Sequence, residues 1–309
     1  MALHLTHRPN TLEDFIGNAS MIGALESVLS REGEIPHAFL FTGPSGCGKT
    51  TLARIVATRL GCSEYDFKEL NAADFRGIDT IREVRKQVSL RPLGGKCRVW
   101  ILDECHSLSG DAQNALLKLL EDTPKHVYFM LCTTNPQKLI KTIISRCMEF
   151  QVGTLPENRI VRMLEGVVEK EGKTIPKQVL EHIAVICQGH PRRALVALDK
   201  VIDLPEEKMM RAVEQSQEEE SQVIDLCRAL MERKKWVEIA KILKGLKDQE
   251  PEQVRRAVLG YCNSVLLNKE SPQAYLVMER FMRPLYDTGF PGLTLACYEA
   301  LDAVGTSGT

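Results

Sequence analysis

The sequence predicts an α/β fold in its first half and an all-helical second half. Three apolar runs, at 38–42, 98–102 and 127–132, are too short for helices and too continuously apolar for half-exposed strands. Runs of this kind are typical of strands that are buried on both faces of a parallel sheet. Helical patterns separate the runs, and this alternation predicts a parallel sheet covered by helices, up to about residue 152.

The remaining elements follow from weaker signals. Two further strand candidates, 67–71 and 148–152, bring the predicted sheet to five strands. Gly61, Gly172 and Gly189 mark helix ends, and the apolar residues after 223 recur at helical spacing. Helices are predicted at 20–31, 49–60, 78–90, 111–120, 156–170, 176–187 and 192–201, with five more between 223 and 303.

The most polar stretch of the chain, 214–222 (EQSQEEESQ), is typical of a solvated linker or of an exposed helix face. We take this polar stretch as a domain boundary. The sequence therefore predicts three domains, at 1–152, 153–213 and 214–309.

Composition excludes several classes of protein. The chain has 309 residues, of which 44% are hydrophobic, and a net charge of −1, so it is neither disordered nor globally basic. No apolar run reaches the roughly 18–20 residues of a membrane helix, and the polar N-terminus lacks the features of a signal or transit peptide. The ten cysteines lack the spacing of zinc ligands. We therefore expect a cytoplasmic protein with reduced thiols, no zinc and no membrane contact.

A phosphate-binding motif follows the first apolar run. Residues 43–50 (GPSGCGKT) fit the pattern GxxxxGK[ST] between a predicted strand and a predicted helix. Glycines let the backbone curl until its N–H groups point at phosphate oxygens, and the helix N-terminus adds a favourable dipole. Lys49 is predicted to contact the β- and γ-phosphates, and the Thr50 hydroxyl to bind Mg²⁺. The predicted site comprises Gly43, Pro44, Ser45, Gly46, Cys47, Gly48, Lys49, Thr50 and Thr51.

Two acids end the second apolar run. An acid pair at the end of a buried strand is costly unless a cation or a catalytic step uses it. Asp103 is predicted to hold Mg²⁺, directly or through water, and Glu104 to orient and deprotonate the attacking water. Together with the phosphate motif, this pair predicts hydrolysis of a nucleoside triphosphate.

Four other polar residues have a functional and an ordinary interpretation. Thr134 and Asn135 end the third apolar run, where they suit contact with a γ-phosphate or a water, or simply form a strand-end turn. Arg146 is either a surface charge or a functional arginine. Arg192 stands at a predicted helix start, where a cation is unfavourable unless an anion binds nearby.

These motifs resemble those of the AAA+ ATPase subunits of sliding-clamp loaders. Residues 103–109 (DECHSLS) are similar to the DExH box of that family, 113–121 (QNALLKLLE) to the helix after it, and 145–147 to its SRC motif. Arg8, Pro9, Ile16 and Gly17 resemble the family's N-terminal adenine-pocket signature. The scattered cysteines depart from the zinc-bearing gamma/tau subunits of bacteria.

The resemblance implies a AAA+ P-loop ATPase domain, then a small helical lid and an all-α collar that holds a ring, expected to be pentameric. It implies ATP and Mg²⁺ as cofactors, with the sliding clamp, other loader subunits and the backbone of primer-template DNA as partners, at the replisome. It also assigns roles: Thr134 at sensor 1 with Asn135 as runner-up, Arg146 as an arginine finger reaching a neighbouring subunit, and Arg192 as sensor 2.

DNA contact is predicted from one helix face and one helix start. Arg82, Arg85 and Lys86 lie three and four residues apart, so they share a face that binds phosphates or is merely solvated. Ser109 is predicted to cap the helix that begins near Gly110, whose N–H groups also suit a phosphate.

Three rival functions remain open at this point. A branch-migration helicase would carry a third, winged-helix domain with strands, and a non-hydrolysing ring subunit would lack the phosphate motif that is present here. An unfoldase would need an aromatic pore loop, which we do not find between residues 61 and 98.

Overall fold

A computed structural model describes residues 2–31, 35–74, 77–247 and 249–302. They divide into two compact units, Met1–Met209 and Met210–Thr309. None of the helices in these ranges combines the length and the apolarity that crossing a bilayer requires. The three-domain division at 152 and 213 stays a prediction.

The first unit is built on one parallel sheet. Its strand order is β2-β3-β4-β1-β5, and all pairings between neighbouring strands are parallel. The five-stranded parallel sheet predicted from the sequence is therefore confirmed. The strands are β1 (Ala38–Thr42), β2 (Cys62–Asn71), β3 (Cys97–Asp103), β4 (Val127–Thr133) and β5 (Met148–Gln151).

Helices cover both faces of this sheet. Alternate residues of a strand point to opposite faces, so Phe39 and Phe41 join one apolar cluster whereas Leu40 joins the other. This arrangement explains why β1 is buried along its whole length. The helices of the first unit are α1 (Leu3–Thr6), α2 (Ala19–Leu29), α3 (Lys49–Arg59), α4 (Ile78–Val88), α5 (Gly110–Glu121), α6 (Lys141–Ile144), α7 (Glu157–Lys170), α8 (Lys177–Ile186) and α9 (Pro191–Val201).

The edge strand β2 is longer than predicted. The sequence pattern predicts a strand only at 67–71, but residues 62–65 also belong to β2, with Cys62 opposite Cys97 on β3. The register shifts between Cys62 and Phe67. Such an irregularity breaks the alternation of apolar and polar residues, which is why the sequence pattern revealed only the second half of the strand.

In the described residues of the second unit every regular element is a helix, as the pattern after 223 predicts. Its core includes the fully buried Leu226, Ile239, Val258, Val277 and Leu293. The helices are α10 (Glu206–Met231), α11 (Trp236–Gly245), α12 (Pro251–Asn268), α13 (Pro272–Phe281) and α14 (Gly289–Asp302). The polar stretch 214–222 lies inside α10, so its backbone is helical and does not form an extended linker.

All ten cysteines are free thiols, and all except Cys62 and Cys147 are buried. Burial raises the pKa of the Cys262 thiol to about 11 and that of Cys227 to about 12. These thiols therefore act as small apolar side chains at neutral pH.

Candidate nucleotide site

A cavity of about 730 Å³ lies beside the carboxyl ends of β1 and β3 in the first unit. Open α/β sheets bind ligands at this edge because the loops after parallel strands converge there. The cavity brings together many of the predicted residues: Arg8, Pro9, Ile16, Ser45, Gly46, Cys47, Gly48, Lys49, Thr50, Thr51, Asp103, Glu104 and Arg192.

The phosphate loop depends on glycines for its shape. Gly43, Gly46 and Gly48 have φ values of 142°, 76° and 100°, which side chains other than glycine rarely adopt. A Cβ atom on Gly43 would also lie 2.0 Å from the carbonyl oxygen of Val152. Glycine at these three positions, two of which the motif specifies, therefore gives the loop its shape.

Donors from two sides hold the carbonyl groups of this loop. Lys49 Nζ donates to the oxygens of Gly43 and Pro44, each at 2.9 Å. From the start of α9, His190 Nδ1 lies 3.0 Å from the oxygen of Ser45, and the Arg192 amide donates to that of Gly46 at 3.3 Å. Four successive carbonyls are thus engaged, and the first N–H groups of α3, which have no intrahelical acceptor, suit an anion.

A hydroxyl and a carboxylate meet at the start of α3. Thr50 Oγ1 donates to Asp103 Oδ2 at 2.8 Å, and the Glu104 amide donates to Asp103 Oδ1 at 2.9 Å. These oxygens fit Mg²⁺, which binds proteins through one or two oxygen ligands and takes the others from phosphates and water. Within the described residues no cluster of three or more His, Cys, Asp or Glu side chains could hold a metal ion by itself.

The Glu104 side chain is held at one oxygen by two neighbours. Thr134 Oγ1 donates to Glu104 Oε2 at 3.1 Å, and His106 Nδ1 lies 3.3 Å from the same atom. Burial lowers the pKa of His106, which also contacts Thr133 Oγ1 at 2.9 Å. Glu104 has φ = 48°, a left-handed conformation that non-glycine residues rarely hold without a functional reason.

Arg8 and Arg192 place positive charge on the wall of the cavity. Partial burial and then the nearby Arg54 and Arg192 guanidinium groups lower the pKa of Arg8, although Glu69 and Asp103 act against them. Arginine remains charged at neutral pH after such a shift. The wall therefore suits a polyanionic ligand.

Some of the predicted residues lie elsewhere. Gly17 packs against Leu155, where an added Cβ atom would approach Cδ2 to 2.2 Å. The backbone amide of Asn135 donates a hydrogen bond to Thr133 Oγ1 at 3.0 Å. Neither of these residues lines the cavity, nor do Gly43, Pro44, Thr134 and Arg146.

Arg146 is exposed and lies outside the cavity of its own chain. Its guanidinium pairs with Glu121 Oε1 at 2.6 Å and donates to the oxygen of Thr142 at 3.2 Å. The side chain is 39% exposed.

The predicted DNA contacts are exposed on α4. Arg82 pairs with Asp79 at 2.9 Å and Lys86 with Glu83 at 3.2 Å, while Arg85 is also exposed. Ser109 caps α5 as predicted, because its hydroxyl accepts a hydrogen bond from the Ala112 amide.

Two histidines at this site had no role in the sequence interpretation. His106 contacts Glu104, and His190 contacts the phosphate loop. A histidine two residues after the acid pair, and another directly before the helix of Arg192, were the available signals. Neither position shows from the sequence alone which group the histidine contacts.

The fold and this site define the class of protein: the chain has the fold of a AAA+ P-loop ATPase, as predicted. Its structure matches the Thermotoga maritima RuvB Holliday junction branch migration motor with a TM-score of 0.59 and 21% identity. The match covers 73% of this chain and 79% of that one. At this identity the likeness concerns the fold alone.

More particularly, the chain is similar to DNA polymerase III subunits. Residues 64–156 match the family model described as DNA polymerase III, delta subunit. The chain is 36% identical over 222 residues to DNA polymerase III subunit tau of Bacillus subtilis, covering 65% of this chain and 39% of the relative. The corresponding values are 35% over 216 residues for subunit tau of Escherichia coli, covering 63% and 33%.

A shorter relative is DNA polymerase III subunit gamma of Buchnera aphidicola, with 33% identity over 218 residues, 64% of this chain and 60% of the relative. The matches thus span about a third to three fifths of the relatives' lengths. They confirm the resemblance to clamp-loader subunits that the motifs predicted.

Proposed function

We propose that this chain is an ATP-hydrolysing subunit of a sliding-clamp loader. The observation that carries the proposal is the arrangement of Glu104, whose Oε2 atom is held by Thr134 and His106 beside the Thr50–Asp103 pair. The similarity to DNA polymerase III subunits supports replication as the process that it serves.

Each residue has a task in hydrolysis. The loop amides and Lys49 bind the β- and γ-phosphates, and Thr50 and Asp103 hold the cation at their edge. Mg²⁺, when bound, neutralises charge that develops on the phosphate oxygens. Because Thr134 and His106 hold Oε2, Glu104 presents Oε1 to the attacking water and accepts its proton.

Two arginines complete the catalytic site. Arg192, on the wall of the cavity, contacts the γ-phosphate from the lid as sensor 2. Arg146 is exposed outside the cavity, and so it acts as an arginine finger on the nucleotide of the next subunit. Turnover then depends on assembly, for which we propose a pentameric ring that is held by the helical second unit.

ATP binding closes this ring around primer-template DNA and opens the clamp, and hydrolysis releases both. DNA is held by its backbone, through Arg82, Arg85, Lys86 and the start of α5 at Ser109. Exposed ion pairs such as Arg82–Asp79 are weak, so phosphates can replace them. The place of action is the nucleoid, at the replisome.

The test is ATP turnover by the assembled complex with and without clamp and primer-template DNA. We expect both together to stimulate turnover by about tenfold or more, because ring closure completes each site with an arginine in trans. A complex whose turnover ignores clamp and DNA would overturn the clamp-loader assignment, whereas a chain that binds no ATP would overturn the ATPase assignment as well.

The rival functions are less well supported. A branch-migration helicase calls for strands in the third domain, and the described residues from 210 to 302 contain only helices and turns. A non-hydrolysing subunit has no use for the Glu104 arrangement.

A further inference from the structure

His190 joins the lid to the phosphate loop. It directly precedes α9, the helix that carries Arg192, and its Nδ1 atom lies 3.0 Å from the carbonyl oxygen of Ser45. A carbonyl oxygen only accepts hydrogen bonds, so Nδ1 carries the proton and donates. The neutral ring therefore adopts the Nδ1–H tautomer.

A second contact fixes the same segment. Two residues further on, the backbone amide of Arg192 donates to the oxygen of Gly46 at 3.3 Å. Arg192 Cβ would lie only 3.2 Å from a Cβ built on Gly46, which shows how closely the helix start approaches the loop. The two bonds run to adjacent carbonyls and therefore fix both the position and the rotation of the first turn of α9.

The buried wall of the loop supports the imidazole ring. The Cys47 side chain is 3% exposed, and its Sγ atom lies 3.7 Å from His190 Nδ1. Burial raises the pKa of Cys47, so it remains a neutral thiol. The ring thus packs against an apolar neighbour while its N–H group faces the Ser45 oxygen.

Two backbone carbonyls of the phosphate loop, those of Ser45 and Gly46, accept hydrogen bonds from the start of α9. Gly46 and Gly48 carry no side chains, and Lys49 Nζ is engaged with Gly43 and Pro44. The Ser45 and Gly46 carbonyls are the groups that turn toward α9. A change in loop shape on phosphate binding is therefore transmitted to α9 through these carbonyls.

We infer that His190 is a positioning residue: its bond to the Ser45 carbonyl sets the guanidinium of Arg192 at the γ-phosphate and makes this contact depend on the shape of the phosphate loop. The inference rests on the proposed ATPase function. It adds a readout in the isolated chain, because ADP lacks the phosphate that Arg192 contacts, and the ratio of the ATP and ADP dissociation constants therefore reports on the positioning.

The test compares the affinities of fluorescent ATP and ADP analogues, with Mg²⁺, for the full chain. His190→Phe keeps an aromatic ring but removes the donor, and His190→Asn keeps an N–H donor at the same number of bonds from Cα. We expect the wild type and His190→Asn to prefer ATP by about tenfold, roughly one charged hydrogen bond, and His190→Phe to prefer it by about threefold or less. ADP affinity should be unchanged in all three.

A double-mutant cycle separates positioning from a structural role. Arg192→Ala should also lower the ATP preference, and adding His190→Phe should cause no further loss because both changes act on one contact. Lys200→Ala, an exposed change near the other end of α9, is the matched control and should behave like the wild type.

Two results would overturn the inference: equal losses of ATP and ADP affinity in His190→Phe, or losses that add to those of Arg192→Ala. Failure of the wild type to bind either nucleotide would overturn the proposed function instead. If His190→Phe does not fold, His190→Asn is compared with His190→Ala instead. An ATP preference that His190→Asn retains and His190→Ala loses supports positioning.

Discussion

At the scale of single residues, the proposed catalytic base has an unusual backbone conformation. Glu104 combines a left-handed backbone with two neighbours on one carboxylate oxygen. Such a conformation costs roughly 1–3 kcal/mol and persists only where the surroundings enforce it. The turn after β3 therefore holds the Glu104 backbone in this conformation while one of its carboxylate oxygens contacts Thr134 and His106.

Replacing the carboxylate by an amide tests its role as the base. Glu104→Gln keeps the shape and the Thr134 contact but cannot accept a proton, so we expect turnover to fall by about 10²–10⁴-fold. ATP affinity should stay within about threefold, since the phosphate contacts are intact. Single-turnover hydrolysis and nucleotide titration measure the two effects, with Glu157→Gln on α7 as an exposed control. Equal losses of turnover and affinity would contradict the assignment.

The position of Arg146 predicts an effect that crosses between chains. Arg146→Ala should lower turnover of the assembled complex by about 10³-fold or more, the usual range for an arginine finger, with nucleotide affinity retained. Glu121→Ala removes only its ion-pair partner and is the matched control. If Arg146→Ala weakened ATP binding by the isolated chain, the arginine would act within its own subunit.

The sequence predicted the residues whose motif is contiguous. Lys49, Thr50, Asp103 and Glu104 can be recognised because a glycine-rich loop and an acid pair need fixed local spacing. His106 reaches Glu104 through the turn after β3, and His190 reaches Ser45 through the packing of α9. Neither contact leaves a periodic signal in the sequence.

At the scale of elements, a buried carboxylate organises the connection that precedes β3. Asp66, on β2, is fully buried and accepts hydrogen bonds from the amides of Leu93, Gly94 and Gly95. Burial alone would raise the pKa of Asp66, but these amides and the Ser63 hydroxyl outweigh it and hold the pKa well below its usual range. Hydrogen bonds to this one side chain therefore hold the loop at 93–95 against the edge strand.

Asp66→Asn should destabilise the chain by about 2–4 kcal/mol at pH 7, because an amide satisfies fewer of these donors and leaves Arg98 without its charge partner. A carboxyl group whose pKa is lowered in the folded state stabilises the fold at pH values above its unfolded-state pKa of about 3.9. This stabilisation is lost progressively as the pH falls from that value through the folded-state pKa. The gap between wild type and variant should therefore be constant from about pH 8 to 5 and shrink below about pH 4.

Denaturant unfolding across this pH range, with hydrogen exchange at Gly94 and Gly95, measures both effects. Glu64→Gln lies on the same strand with an exposed side chain and is the matched control. A gap that grows as the pH falls would contradict the assigned direction.

Other elements were predicted to within a few residues where one pattern covers the whole element. The helices α3 and α7 show this, and so do β1 and β4. The exceptions are physical: the irregular β2 breaks its alternation, and α10 runs through a polar stretch that looks like a linker. The stretch 214–222 contains no apolar residue, so no apolar stripe predicts the helix there.

At the scale of the whole molecule, apolar clusters are found in each unit. Two clusters in the first unit reach Val152 and Cys147, and a cluster in the second is built from residues between Val223 and Leu301. We therefore expect the first unit to fold without the second.

A fragment of residues 1–213 tests this independence. It keeps the sheet, the lid helices and the entire nucleotide cavity, so we expect ATP affinity within about threefold of the full chain. It lacks α11 to α14 and should fail to enter the assembled complex. Nucleotide titration and size-exclusion chromatography with the partner subunits measure the two properties. A fragment that assembles normally would contradict the collar assignment.

The strand order also determines when the first unit can fold during synthesis. β1 lies between β4 and β5, yet it begins at residue 38, whereas its two partners begin at 127 and 148. Pairings between such distant segments form slowly, because a long loop must close before any contact rewards it. The growing chain therefore carries an unpaired AFLFT segment until β4 has been made, and during that time aggregation competes with folding.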